Sequence, residues 1–110
     1  MPHFRFHAMT APQVSQLSNS LLEALPELFN SPKEDFTFEC VASQFFFEGK
    51  RVEAYPFIEL MWFDRGQAIQ DKAAEIITQQ CLLNVSNAAD IAVIFKNLTP
   101  SAYYDNGKHY

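Results

Sequence analysis

The stretch PHFRFHA, residues 2–8, alternates: Phe4, Phe6 and Ala8 point one way, and His3, Arg5 and His7 point the other. A period of two reads as a strand with one buried face. Thr10, followed by Ala11 and Pro12, supplies a capping hydroxyl and then a proline in the first turn, which signals a helix start. Val14, Leu17, Leu21, Leu22 and Leu25 recur at helical spacing. Pro26 is expected to end or kink this helix, leaving PELFNSPKED, residues 26–35, as the link onward. Residues 36–47, FTFECVASQFFF, read as one long second strand with Phe36, Phe38, Cys40 and Ala42 on a shared face.

The rest of the chain repeats this order. FEGKR, residues 47–51, is a turn with its glycine. YPFIELMWF, residues 55–63, is apolar at nearly every position, so a strand covered on both faces is expected. Asp64, Arg65 and Gly66 break it. Residues 67–83 carry Ile69, Ala73, Ile76, Ile77 and Leu83 on one side of a second helix, and DIAVIFKNL, residues 90–98, is a last buried strand. The tail, TPSAYYDNGKHY, has a turn signal at Asn106-Gly107. With an offset of 54, Pro2 falls on Pro56, Gln13 on Gln67, Gln16 on Gln70, and Thr37–Val41 on Ile91–Phe95. The expectation is one α+β domain over residues 1–110, with a pseudo-repeat of 2–47 and 55–98 and a tail of 99–110. Each β-α-β unit crosses over right-handedly and pairs its strands in parallel. The result is one four-stranded mixed sheet with both helices on one face. The other sheet face stays apolar in places and calls for a partner subunit.

Composition narrows the functional classes. A length of 110 residues suits one domain. Aromatic residues make up 15% of the chain, including eleven Phe, and this surplus points to burial in an oligomer interface as well as in a core. The net charge of −5 argues against binding to duplex nucleic acid. Cys40 and Cys81 lack metal-type spacing and read as buried reduced thiols. No apolar run approaches membrane-spanning length and no signal peptide begins the chain, so the cytoplasm is the expected location. His3, Arg5 and His7 form a stripe with an arginine in its middle, a poor cation site, and no metal or cofactor is expected. Nucleotide, serine-hydrolase and zinc-protease motifs do not occur.

A proline directly after Met1 opens the first strand, two β-α-β units follow within about 110 residues, and a short aromatic tail closes the chain. This layout resembles the tautomerase superfamily, which includes macrophage migration inhibitory factor and carboxymethyl-hydroxymuconate isomerase. Within it, the chain is most similar to an uncharacterised bacterial family with that fold. The resemblance implies a homotrimer with a barrel-like core of three sheets and active sites between neighbouring subunits.

It also implies a role for Pro2. Once Met1 is removed, as the small second residue allows, Pro2 exposes a secondary amine. Burial and nearby cations lower such a group below the ordinary 7.7–8.0 of an α-amine. A neutral amine can take a proton from carbon beside a carbonyl and return it elsewhere, which is keto–enol tautomerisation. Without the layout around it, Pro2 would read simply as the start of a strand. Lys33, in the link where some relatives carry a functional lysine, is the first substrate-binding candidate. Arg65 could clamp a substrate carboxylate, and Arg51, after the hairpin turn, would reach a neighbour's pocket. The bland alternative for all three is a solvated surface charge, and Asp64 and Arg65 could simply pair. In AVIFKNLTPSAYYDN, Phe95 stands where a tyrosine-bearing pattern is expected, with Asn97, Tyr103 and Tyr104 as substitutes.

The implied activity is a cofactor-free tautomerase or isomerase of small 2-keto or enol acids. From a different class comes a non-catalytic trimer of the same fold that binds ligands or serves assembly. A ferredoxin-like binding module shares the element order and would give Pro2 no special role.

Overall fold

The computed structural model describes residues 1–85 and 90–110. Its elements are β1 (His3–His7), α1 (Ala11–Phe29), β2 (Thr37–Cys40), β3 (Phe45–Phe47), β4 (Lys50–Val52), β5 (Phe57–Trp62), α2 (Gln67–Asn84), β6 (Ala92–Asn97), β7 (Tyr104–Asp105) and β8 (Lys108–His109). The main sheet has the order β2-β1-β5-β6. β1 runs parallel to β2, β5 runs parallel to β6, and the two units meet antiparallel at β1 and β5. The expected mixed sheet is therefore present, with α1 and α2 packed over one face. In that layer Leu17, Leu21 and Leu25 of α1 and Ala73, Ile77 and Cys81 of α2 are fully buried against Phe4, Phe6, Ile58, Leu60 and Trp62.

Local chemistry explains the helix starts. Thr10 and Gln13 form a reciprocal capping box: Gln13 N–H donates to Thr10 Oγ1 at 3.3 Å, and Thr10 N–H donates to Gln13 Oε1 at 2.9 Å. α2 has no side-chain cap. Gly66 precedes it at φ 89° and ψ 159°, a conformation that essentially only glycine adopts.

Four expectations need correction. Pro26 does not end α1, which continues to Phe29. Leu25 and Phe29 fall on the same buried stripe, so packing carries the helix through a proline that removes one backbone donor near the end. Asn30 then stops it in the left-handed region, donating to Glu27 O.

Residues 36–47 are not one strand. β2 pairs with β1 from Thr37 to Cys40, Val41 N–H still donates to Phe6 O at 2.9 Å, and only His7 of β1 lies beyond that point. The chain leaves the sheet, and Phe45–Phe47 instead forms a hairpin with Lys50–Val52. Glu48 and Gly49, at φ 50° and 77°, turn that hairpin. The tail hairpin β7–β8 turns the same way at Asn106-Gly107, as the sequence indicates.

β6 is an edge strand and not a fully buried one: Ile94 is exposed on the side away from the helices. Cys40 is exposed as well, whereas Cys81 is buried as expected.

Much of the aromatic surplus is spent inside the subunit. Phe38 stacks on Phe4 at 4.9 Å, Phe36 on Phe29 at 5.8 Å, and Trp62 touches both Phe29 (5.2 Å) and Phe95 (4.9 Å). Phe46 and Phe47, on the protruding hairpin, stay about two-thirds exposed at 63% and 67%.

Candidate functional site

Pro2 is fully buried at the start of β1, and its carbonyl accepts from Thr37 N–H at 3.1 Å, which fixes the strand's first residue to β2. Met1 occupies its nitrogen, so that nitrogen is an amide and carries no basicity. The amine at this position is the Met1 terminus, which is half-buried. Burial and then the Arg65 guanidinium hold that amine below its ordinary value, and Asp35 opposes them. The amino end, Arg65 and Asp35 thus share one electrostatic neighbourhood.

Arg65 does not pair with Asp64. Asp64 Oδ1 instead accepts from Gly66 N–H at 2.9 Å and shapes the turn before α2. The guanidinium folds inward: Nε donates to Phe29 O at 3.1 Å, and an Nη donates to Phe63 O at 2.7 Å. Its carbon lies 5.0 Å from the Phe29 ring centroid and 5.3 Å from that of Trp62. Among the described residues no carboxylate pairs with it, so a fixed, partly buried cation keeps donors free.

Tyr103 and Tyr110 complete this end. Phe63 packs on Tyr103 at 5.5 Å and on Tyr110 at 5.3 Å, and Tyr110 N–H donates to Tyr103 O at 3.1 Å. Burial, followed by the charges of Asp105 and Asp35, raises the Tyr103 hydroxyl above its usual range, so it stays a hydrogen-bond donor at neutral pH. Lys33 begins a 3-10 turn, Lys33–Asp35, with its side chain exposed. Asn97 ends β6 at the same edge, but its Oδ1 accepts from the buried Trp62 indole at 2.8 Å. Tyr104 is exposed in the tail hairpin, edge-on to His109.

Arg51 lies elsewhere. It lines an open cleft of about 1110 Å³ with Tyr55, Pro56 and Gln13. β1 and β5 are antiparallel, so Pro56 and Pro2 start their strands at opposite ends of the sheet. This cleft is therefore not at Pro2, and Arg51 does not join Pro2 within one chain. Arg65 acts on the amino end through its charge, and Tyr103, which also feels Asp35, lies at that end with Lys33 and Asn97. Asp35 and Tyr110 were not singled out by sequence reasoning. Only the position of Asp35, two residues after Lys33, could have flagged either.

Several solved structures resemble the chain. A protein of unknown function from Vibrio cholerae O1 biovar eltor str. N16961 is 38% identical, with a TM-score of 0.88 over 99% of this chain and 87% of that one. A domain of unknown function (DUF1904) from Sebaldella termitidis ATCC 33386 is 32% identical, with a TM-score of 0.92 over all of both chains. The fold is shared with a fused 4-OT wild type asymmetric trimer, at 14% identity and a TM-score of 0.81 over 97% and 94% of the two chains. It is also shared with a macrophage migration inhibitory factor-like protein from Entamoeba histolytica, at 16% and 0.76 over 99% and 98%. The chain thus has the tautomerase-superfamily fold. No curated protein matches it. Residues 1–109 match the family described as Domain of unknown function (DUF1904), and the chain belongs to that family.

Proposed function

We propose that the protein is a cofactor-free tautomerase or isomerase of small 2-keto or enol acids, with Pro2 as the acid/base once Met1 has been removed. The observation that carries this reading is Arg65, a cation that no described carboxylate pairs with, held in place by two carbonyls and acting on the chain's amino end. A substrate carboxylate would take its free N–H groups. The Pro2 amine would inherit a site where burial and Arg65 both favour the neutral form, the state able to abstract a proton. Lys33 and the Tyr103 hydroxyl would stabilise the enolate oxygen. Asn97 belongs to the same end but acts there through Trp62.

The same reading includes assembly as a homotrimer. The fold is that of a neighbour described as a trimer. Arg51, remote from Pro2 in its own chain, would then serve the pocket of an adjacent subunit. The location proposed is the cytoplasm; no described helix is long and apolar enough to cross a membrane.

A second reading rests on Met1 covering Pro2. If Met1 stays, Arg65 remains an anion clamp with no base beside it, and the protein is a non-catalytic binder of small organic acids.

Ultraviolet-monitored ketonisation of phenylenolpyruvate and 2-hydroxymuconate separates the two. Protein whose intact mass shows Met1 removed is compared with Pro2→Ala. A proline-dependent rate well above buffer is expected. Equal rates for the two proteins would sink Pro2 catalysis on these substrates and favour the binding reading.

A further inference from the structure

A separate constellation lies at the far end of β1, about 16 Å along the strand from Pro2 at the usual rise per residue. His7 sits there between two partners. Its Nε2 is 2.7 Å from Glu59 Oε2, and its Nδ1 is 2.9 Å from Ser43 Oγ. Lys96 Nζ holds the other Glu59 oxygen at 2.7 Å. Glu59 is 8% exposed and accepts from both neighbours, so it stays ionised. An ionised carboxylate on Nε2 requires the proton there. In the neutral imidazole that leaves the Nδ1 lone pair facing Ser43, whose hydroxyl then donates to it.

A serine hydroxyl donating to a histidine that a carboxylate orients is the arrangement that turns serine into a nucleophile. Ser43 also faces open space. A cavity of about 420 Å³ is lined by His7, Ser43, Gln44, Phe45, Phe57 and Glu59. That size suits a small ligand. Phe57 meets His7 edge-on at 5.8 Å and, with Phe45, gives the cavity an apolar wall.

We propose that Ser43, His7 and Glu59 form a second site, distinct from the Pro2 end, that accepts the acyl group of a small uncharged ester. Ser43 Oγ bonds to the ester carbonyl carbon as its proton passes to His7 Nδ1. The carbonyl electron pair moves to oxygen, and Gln44 is the amide donor available to meet it. The C–O bond to the alcohol then breaks, and the leaving oxygen takes the proton from Nδ1. Water repeats the sequence on the acyl-serine and releases the acid. Glu59 is a positioning residue, acting through the tautomer of His7.

The test incubates Met1-free protein with 4-nitrophenyl acetate, following nitrophenol release and intact mass. One acetyl group on Ser43, located by peptide mapping, is the expected result. Ser43→Ala should abolish it, and His7→Asn, with the hydroxyl still present, should slow it about a hundredfold or more. Pro2→Ala should leave it unchanged. Nitrogen NMR of His7 should show the Nε2–H tautomer, with that preference lost in Glu59→Gln. Circular dichroism confirms that each variant is folded. Acetyl groups found only on lysines or the amino terminus, or equal Ser43 labelling in His7→Asn, would overturn the proposal.

Discussion

Arg65 meets Phe29 twice: its guanidinium lies 5.0 Å over the Phe29 ring, and its Nε donates to the Phe29 carbonyl at 3.1 Å. That carbonyl belongs to the last residue of α1, where helical acceptors lack partners. Arg65 therefore caps one helix while starting the turn into the other. Arg65→Met should remove both carbonyl contacts and lower stability by about 2 kcal/mol, read as a shift in the urea midpoint. Arg65→Lys should keep the charge but lose the fork, and recover only part of that loss. Calorimetric titration with pyruvate should show binding weakened in both variants.

Glu59 links acid stability to the sheet's outer face. Lys96, and then His7, holds its carboxyl down to about 2 from the ordinary 4.5. A folded-state value below the unfolded one stabilises the protein above about 4.5, and that stability drains away as pH falls toward 2. Chemical denaturation at pH 6, 4 and 3 should show the wild type losing stability on acidification and Glu59→Gln losing less. Glu39, lowered by His3 but exposed, should give a smaller change when replaced by Gln.

Asn97 is exposed, yet its amide oxygen satisfies the buried Trp62 indole. Asn97→Leu should cost about 1–3 kcal/mol by leaving that donor unpaired. Trp62 fluorescence should shift with the mutation. An unchanged melting temperature would show that the contact is dispensable.

The two helix starts should respond differently to alanine. Thr10→Ala removes half of the capping box and should cost about 1 kcal/mol. At Gly66 a Cβ would meet nothing within 4 Å, so any cost comes from the backbone at φ 89°. Gly66→Ala should lose about 1–3 kcal/mol despite the open space. Thermal unfolding of the two variants gives the comparison.

The cysteines should separate cleanly. Burial pushes the Cys81 thiol up to about 11, while Cys40 is exposed. Native protein should release one equivalent of thionitrobenzoate from Ellman's reagent, and denatured protein two.

The main sheet and both helices were legible because their periodicities agree with what they bury. Phe4 and Phe6 alternate with His3 and Arg5, and Leu17, Leu21 and Leu25 repeat at four. The break after Cys40 was not legible. FTFECVASQFFF keeps strand-like residues throughout, and only the tertiary partners, β1 up to Cys40 and β4 from Phe45, divide it. Pro26 misled because local geometry was outweighed by the burial of Leu25 and Phe29. In the candidate site, Pro2 and Arg65 could be singled out, but the inward fold of Arg65 could not, since it depends on carbonyls at residues 29 and 63. The Ser43–His7–Glu59 grouping was hidden for the same reason: its members are 36 and 52 residues apart.

Pro56 stands to β5 as Pro2 stands to β1. Each is buried at its strand's start, and their carbonyls take N–H groups from Ala92 at 3.0 Å and Thr37 at 3.1 Å. Tyr55 holds the nitrogen of Pro56 in a peptide bond, whereas the proposed loss of Met1 would free the nitrogen of Pro2. Joining the two halves in one polypeptide therefore makes a near-symmetric scaffold chemically one-sided. Severing the chain between Tyr55 and Pro56 would return the second end to parity and give it a secondary amine of its own.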